Sequence, residues 1–270
     1  MTRWEGDDIR CELPRVVEAH VRTIDGEVAV TAAVGPAQVH VEVVDGPAAV
    51  VEIDGGVLTV AHEPERWIGS VMKRAQAVVT VTVPADTPTV IRTVSGDVFV
   101  AGLRDGVSIN TVSGAVTATD VAGSLTLRTV SGEIQGESVD GHLDLNTVSG
   151  HCTVTGRLDE LTARAVSGDL TFDIGGAPAS SLTTVSGDVV MRLPEDAALD
   201  LDVTTVSGHL DSAFAVLGTS SKRRLAGSIG SGGGPRVSVR TMSGDVALLR
   251  KELSAARAGA LGPGPAGGET

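Results

Sequence analysis

Serine and carboxylate side chains recur at fixed spacing along this chain, and they are the residues that chemistry would need first. They lie in a six-residue phrase that reads Thr-Val-Ser-Gly-Asp-Val in its first copy, and its copies begin at Thr93, Thr111, Thr129, Thr147, Ala165, Thr184, Thr205 and Thr241. A serine near a base can act as a nucleophile, and grouped carboxylates can hold a cation. The phrase therefore raises two hypotheses, a catalytic serine and an acidic metal loop.

The serine column does not fit a nucleophile. It comprises Ser95, Ser113, Ser131, Ser149, Ser167, Ser186, Ser207 and Ser243. Eight equivalent serines cannot all be nucleophiles, and the Gly-x-Ser-x-Gly elbow is absent from the sequence. A serine hydroxyl also satisfies backbone groups at tight turns, and the glycine that follows supplies a positive φ or room for a close approach. We predict a structural role for both columns and no catalytic residue.

The position after Ser-Gly is the variable one. It is occupied by Asp97, Ala115, Glu133, His151, Asp169, Asp188, His209 and Asp245. The alanine and the two histidines interrupt the acids, and the calcium-binding Gly-Gly-x-Gly-x-Asp repeat is absent. The six histidines show no metal-ligand spacing. We therefore predict a solvated turn here, with no metal site and no cofactor.

The spacing of the phrase predicts the fold. The first four steps from one copy to the next are equal, the following two are slightly longer, and the last is twice the first. Between phrases, short apolar and polar alternations are separated by glycine turns, as in the segment from Val116 to Arg128. Such units bury little alone, but each can pair with its neighbours. We predict an all-β, parallel β-helix-like solenoid of rungs of about 18 residues. A β-sandwich or a propeller, whose spacing differs, is the alternative.

The other columns have expected places in such a coil. The threonines that open the phrase should form a hydroxyl ladder, and the valines at its second position, replaced once by Met242, should be core. The residues before the phrase should point outward: Arg92, Asn110, Arg128, Asn146, Arg164, Thr183, Thr204 and Arg240. Cys152, which occupies the position of Val116 and Ile134, should be a buried thiol.

Three regions are expected. Residues 1–90 form a β-rich N-terminal region of degenerate rungs or a cap, with a worn copy of the phrase at Thr23–Val28 and a loop or short helix over 62–76. Residues 91–250 form the repeat solenoid, in which 217–235 is expected to be a degenerate rung with a flexible excursion. Residues 251–270 form a disordered tail, since Ala, Gly and Pro dominate it.

Composition limits the partners. With 21 basic and 34 acidic residues the net charge is −13, which argues against nucleic acid and anionic membranes. Two cysteines are too few for a disulfide framework. An apolar run of membrane-spanning length and a secretory signal are both absent from the sequence, so the expected location is the cytoplasm and no membrane insertion is expected.

The repeated phrase resembles that of the bacterial putative-adhesin family of adhesin-like β-strand-repeat proteins. Further matching features are the Val81-Thr82-Val83-Pro84 entry to the repeats and the glycine-rich stretch before Val239–Val246. The resemblance covers roughly residues 3–250. It implies a β-helix-like fold and no known enzyme activity.

Two functions of different class follow from the sequence. The first is a non-catalytic interaction or scaffold protein whose partner is a protein, because the body is long, regular and poor in distinctive sites. The alternative is an exported surface adhesin that binds carbohydrate or protein. A weaker alternative is a filament that assembles end to end, since the last rungs present unpaired edges.

Overall fold

Every regular element that the structure describes is a β-strand. The structure is a computed structural model that describes residues 1–13, 15–62 and 75–251. Within these ranges the strands are rich in Val, Thr and Ile, whose branched side chains suit a pleated surface, and glycine occupies many of the turns. The predicted all-β class is therefore confirmed.

The N-terminal strands combine parallel and antiparallel pairing. They are β1 (Thr2–Gly6), β2 (Asp8–Leu13), β3 (Glu18–Thr23), β4 (Asp25–Ala32), β5 (Ala37–Asp45), β6 (Ala49–Asp54), β7 (Val57–His62) and β8 (Gln76–Val83). Strand β3 is parallel to β7, and β4 is parallel to β8. On one side, β6 pairs with β7, and β1 pairs with β6, both antiparallel. On the other side, β5 pairs with β8, and β2 pairs with β5, again antiparallel. Antiparallel strands therefore close this end of the sheet.

The repeats that follow pair in parallel. Their strands are β9 (Thr89–Arg92), β10 (Asp97–Ala101), β11 (Val107–Asn110), β12 (Val116–Ser131), β13 (Ile134–Ser149), β14 (Cys152–Ser167), β15 (Leu170–Ile174), β16 (Ala179–Ser186), β17 (Val189–Leu193), β18 (Leu199–Ser207) and β19 (Leu210–Ser212). In register, Val98 lies beside Val116, which lies beside Ile134. Partners in these pairings are one repeat apart in the sequence, so equivalent positions of successive phrases form columns.

Each repeat contributes two runs of strand with a buried face. In β12 the first run buries Val116 and Ala118, and the second buries Leu125 and Leu127. Val121 is buried at the bend between the two runs. Because side chains alternate along a strand, one face of each run supplies the core and the other is available to solvent.

The C-terminal strands do not follow the order of the chain. They are β20 (Leu217–Ser220), β21 (Arg224–Ile229), β22 (Arg236–Ser243) and β23 (Val246–Arg250). Strand β22 lies between β16 and β18, and β23 lies between β17 and β19. The last phrase in sequence is therefore inserted between the two that precede it, with Ser243 beside both Ser186 and Ser207.

The prediction of a degenerate rung over 217–235 is wrong. Strands β20 and β21 form an antiparallel pair, and β21 adds antiparallel to β18. The doubled step before the last phrase accommodates this pair and the return of the chain. Antiparallel strands here cover an edge of β18 that would otherwise be left open to another chain.

The N-terminal region continues the columns of the repeats. Strand β3 is parallel to β9, and β4 is parallel to β10, with Val28 beside Val98. The hydroxyls of Thr23 and Thr93 are 3.2 Å apart. Parallel pairing thus crosses the boundary predicted near residue 90, and Thr23–Val28 occupies the place of a phrase.

Two predicted features lie outside the described residues. They are the loop or short helix over 62–76, of which only the first and the last two residues are described, and the tail after Lys251. Among the described segments, no helix is long and apolar enough to cross a membrane.

Candidate functional site

We call each copy of the phrase a row. The serine hydroxyls of the phrase donate hydrogen bonds to the turn of the preceding row. The hydroxyl of Ser113 donates to the carbonyl of Val94 at 3.4 Å, and that of Ser149 donates to Val130 at 3.3 Å. These bonds tie each turn to the next along the stack. The predicted structural role of the serine column is confirmed for these rows.

The threonine column is buried, and the hydroxyl ladder that the sequence predicts is present between Thr23 and Thr93 but does not continue through Thr111, Thr129 and Thr147. The hydroxyl of Thr111 donates to the carbonyl of Ser113 at 2.9 Å, within its own turn. Thr129 and Thr147 repeat this bond at 3.3 Å. Threonine reaches a carbonyl two residues on because the Ser-Gly corner folds the chain back toward it. Thr111, Thr129 and Thr147 therefore each stabilise their own corner.

The acids after Ser-Gly bind the backbone of the neighbouring row. Asp97 accepts a hydrogen bond from the N–H of Ala115 at 2.8 Å, and Asp169 accepts one from Asp188 at 3.0 Å. His151 Nδ1 also lies 3.3 Å from Asp169 Oδ2. These contacts give the stacked carboxylates a structural role. Among the described residues, no group of three or more His, Cys, Asp or Glu side chains could hold a metal ion.

The valine column is exposed, which corrects the prediction that it is core. The column comprises Val94, Val112, Val130, Val148, Val166, Val185, Met242 and Val206 in the order of the stack. Their exposed fractions run from 43% at Val185 to 60% at Val206. We call this column the valine stripe.

Strand alternation explains the exposure of the valine stripe. From Leu125 and Leu127, which are buried, a period of two places Thr129 inward and Val130 outward. The threonine can occupy the inward place because the corner satisfies its hydroxyl. The alternation that begins at Leu125 is thus a signal in the sequence that places this valine outside the core.

A polar column runs beside the valine stripe, two residues earlier in each row. Arg92, Arg128, Arg164 and Arg240 are exposed in it, as predicted. Arg164 lies 4.0 Å from Asp144 of an adjacent strand. A shallow surface depression is bordered by Arg128, Asn146, Val148, Arg164 and Val166. The stripe and this column thus form one continuous, open surface of mixed apolar and basic character.

Titratable groups outside the phrase do not form a reaction centre among the described residues. His62 is buried, and its Nε2 lies 2.9 Å from the carbonyl of Pro47. Burial lowers the pKa of His62, and the bond to Pro47 and the charge of Asp7 offset this in part. His62 thus serves as a buried polar contact and has no acid or nucleophile among the partners described for it.

The two cysteines should differ in reactivity toward a thiol reagent. Cys152 is 1% exposed, and burial raises its pKa to about 12, while Cys11 is half-buried. Because the thiolate is the reactive form, we expect the folded protein to be labelled at Cys11 alone and at Cys152 only in denaturant. Mass spectrometry of the labelled protein measures this, and a Cys11→Ser variant should not be labelled while folded. Labelling of that folded variant would contradict the buried position of Cys152.

Comparison with known proteins places these features in a wider group. Residues 27–249 match the sequence profile of a family described as Toastrack DUF4097. No curated protein matches the sequence.

Three solved structures resemble the chain. A protein described as a putative cell adhesion protein from Clostridium sporogenes ATCC 15579 is 9% identical, with a TM-score of 0.33 over 91% of this chain and 100% of that chain. A putative adhesin from Bacteroides fragilis NCTC 9343 is 12% identical, with a TM-score of 0.35 over 90% and 96% of the two chains. A putative adhesin from Parabacteroides distasonis ATCC 8503 is 15% identical, with a TM-score of 0.43 over 90% and 96%. None of these descriptions is that of an enzyme.

Proposed function

Because the chain belongs to the Toastrack DUF4097 family, we propose that it is a non-catalytic interaction scaffold built as a parallel β-solenoid. The match spans the repeats and confirms the resemblance that the phrase indicated. Support for the solenoid comes from the register, which sets Val116 beside Ile134 and Ile134 beside Cys152, one repeat apart in each case. We further propose that residues 1–90 and 91–250 form one stack, because β4 pairs with β10.

The valine stripe is the observation that carries this function. Scattered exposed apolar residues are ordinary, but a contiguous apolar patch on a soluble surface marks an interaction site. Here eight large apolar side chains occupy equivalent exposed positions in adjacent rows. Each is the outward neighbour of a buried threonine or, at Val166, of the buried Ala165, so the fold does not need its apolar side chain for the core. A protein partner is the occupant that such a surface fits best.

The chemistry of the columns argues against catalysis at the same surface. The serine hydroxyls and the aspartates are bonded to backbone groups of adjacent rows. A nucleophile needs a base within hydrogen-bond reach, and the recorded partners of these serines are carbonyl oxygens. Every row offers nearly the same groups, whereas an active site brings together different ones. The surface is therefore suited to binding.

A substitution in the stripe should abolish binding to a protein partner. Val148 is 46% exposed, so a Val148→Asp variant should fold while placing a charge in the apolar surface. Immobilised wild-type protein should capture a partner from native bacterial lysate in a saturable manner. The immobilised Val148→Asp variant should capture at most about one tenth as much of that partner. Val44→Asp is the control, since Val44 is 58% exposed on β5, which pairs with β2 and β8 and with none of the strands that carry the stripe. Equal capture by all three proteins, or no saturable capture, would contradict the proposed function.

A further inference from the structure

Charges flank the valine stripe in a matched pattern. In every row with an arginine two residues before the stripe position, an acid stands three residues after it, as in Arg92 with Asp97 and Arg128 with Glu133. The rows of Arg164 and Arg240 follow the same rule, and so does the N-terminal row that contains Arg22. The stripe thus lies along the chain between a basic column and an acidic column.

The rows without arginine mostly lack the acid. Asn110 is followed five residues later by Ala115, and Asn146 by His151. Thr204 is likewise followed by a histidine, and the row of Thr183 is the exception because it retains an aspartate. Basic and acidic positions therefore vary together from row to row.

Ion pairs within one copy do not explain the match. Among the described side chains, none of these arginines lies within 4.0 Å of the acid in its own row. The described pair of Arg164 is with Asp144, which belongs to neither flank, at 4.0 Å. Asp97 instead accepts a backbone hydrogen bond from Ala115 through Oδ1, and its Oδ2 is left for another partner.

We propose that the occupant of the valine stripe is a second copy of this chain, docked face to face with its rows in parallel. A two-fold axis parallel to the stack keeps each row opposite its own equivalent and exchanges the two flanks. The arginine of each row then faces the acid of the same row in the other copy. A two-fold axis perpendicular to the stack would instead place the arginines of one copy opposite the arginines of the other. This inference rests on the proposed function, because it names the partner of the same stripe.

The dimensions of the surface indicate a weak dimer. Eight rows at a strand spacing of about 4.8 Å span about 34 Å. The five-residue step from arginine to acid adds a width of at most about 16 Å, the length of an extended chain at roughly 3.3 Å per residue, because the Ser-Gly corner shortens it. The product, at most about 550 Å² per copy, is below the roughly 800 Å² of a standard interface. Dissociation constants in the micromolar range are therefore expected, with the valines at the centre and the charges at the rim.

Sedimentation velocity of the full chain tests the dimer. Between about 1 µM and about 1 mM, the wild-type protein should shift from monomer to dimer. The Val148→Asp variant should remain monomeric over the whole range, and the Val44→Asp control should behave as the wild type. Circular dichroism and thermal unfolding establish that each variant is folded. A wild-type protein that is monomeric throughout would overturn the inference.

A charge exchange tests the orientation of the two copies. Arg128→Glu alone and Glu133→Arg alone should each raise the dissociation constant on the order of tenfold, because the two-fold axis places each substitution in the interface twice. The Arg128→Glu, Glu133→Arg double variant should recover wild-type dimerisation, and a mixture of the two single variants should form mixed dimers. A double variant that is at least as weak as the single variants would overturn the parallel arrangement.

The two proposals fail separately. A monomeric wild-type protein that still captures a saturable, stripe-dependent partner from lysate would overturn the second-copy inference and leave the interaction function standing. Loss of self-association together with loss of capture would overturn both.

Discussion

Replacing Gly150 by alanine is expected to lower the free energy of unfolding by about 3 kcal/mol or more. Gly150 has a φ of 139°, which residues with a Cβ rarely adopt, and a Cβ built on it would collide with the carbonyl oxygen of Gly132 in the preceding row. Backbone atoms on both sides of the corner are held by parallel pairing, so they cannot move apart without breaking bonds along the stack. Chemical denaturation followed by circular dichroism measures the loss.

Two other glycines separate the causes of this loss. The φ of Gly106 is not positive, and a Cβ built on this residue would have no atom within 4 Å. Gly35 has a φ of 125°, and a Cβ built on it would likewise have no atom within 4 Å. Gly106→Ala should therefore change stability by less than about 0.5 kcal/mol, and Gly35→Ala should lose about 1–2 kcal/mol from backbone strain alone. If Gly150→Ala were no worse than Gly35→Ala, close approach between rows would not be the reason for glycine in this column.

Deletion of one whole row, residues 129–146, is expected to leave a folded and soluble protein. The deletion joins Arg128 directly to Thr147. Because Arg128 pairs with Asn146, Arg128 takes the place that Asn146 has before Thr147, and the register of the next row is kept. Each row contacts mainly its neighbours, so stability should fall by about the contribution of one row. Circular dichroism and a cooperative denaturation curve measure the outcome.

Deletion of half a row is the matched control. Removing residues 129–137 takes away the corner and the first run of β13 while keeping its second run. Later side chains then meet their neighbours out of register, and a slip by one residue turns a buried face toward solvent. This variant should be largely unfolded or aggregated. Equal tolerance of the two deletions would contradict a solenoid whose rung is one whole repeat.

The parts of the fold that repeat locally were predictable. The regular interval between phrases, the turn at Ser-Gly and the buried place of Cys152 all follow from residue type and spacing within one or two rows. The hydrogen bonds of Ser113 and Ser149 confirm the structural interpretation of the serine column. These features depend on φ, side-chain size and the alternation of strands, which neighbouring residues determine.

The surface was predicted less well. The valine of the phrase was assigned to the core because it is apolar, whereas Val130 is exposed because Thr129 takes the inward place. The acids after Ser-Gly are exposed, in agreement with the predicted solvated turn, but the sequence did not indicate that Asp97 and Asp169 bind the backbone of the next row. These hydrogen bonds join different rows, and a single repeat does not contain them.

The sequence by itself determined that this is a stacked β-protein, how long each repeat is, and which positions form columns. Only the tertiary structure decided the order of the rows at the ends, where β22 inserts between β16 and β18 and where β3 lies between β7 and β9. The reason is that every phrase offers nearly the same edge to any other. Local sequence cannot choose among equivalent edges, so the choice depends on the antiparallel strands that cover each end and on the whole set of contacts across the stack. The same stacking turns a repeated valine into an exposed stripe.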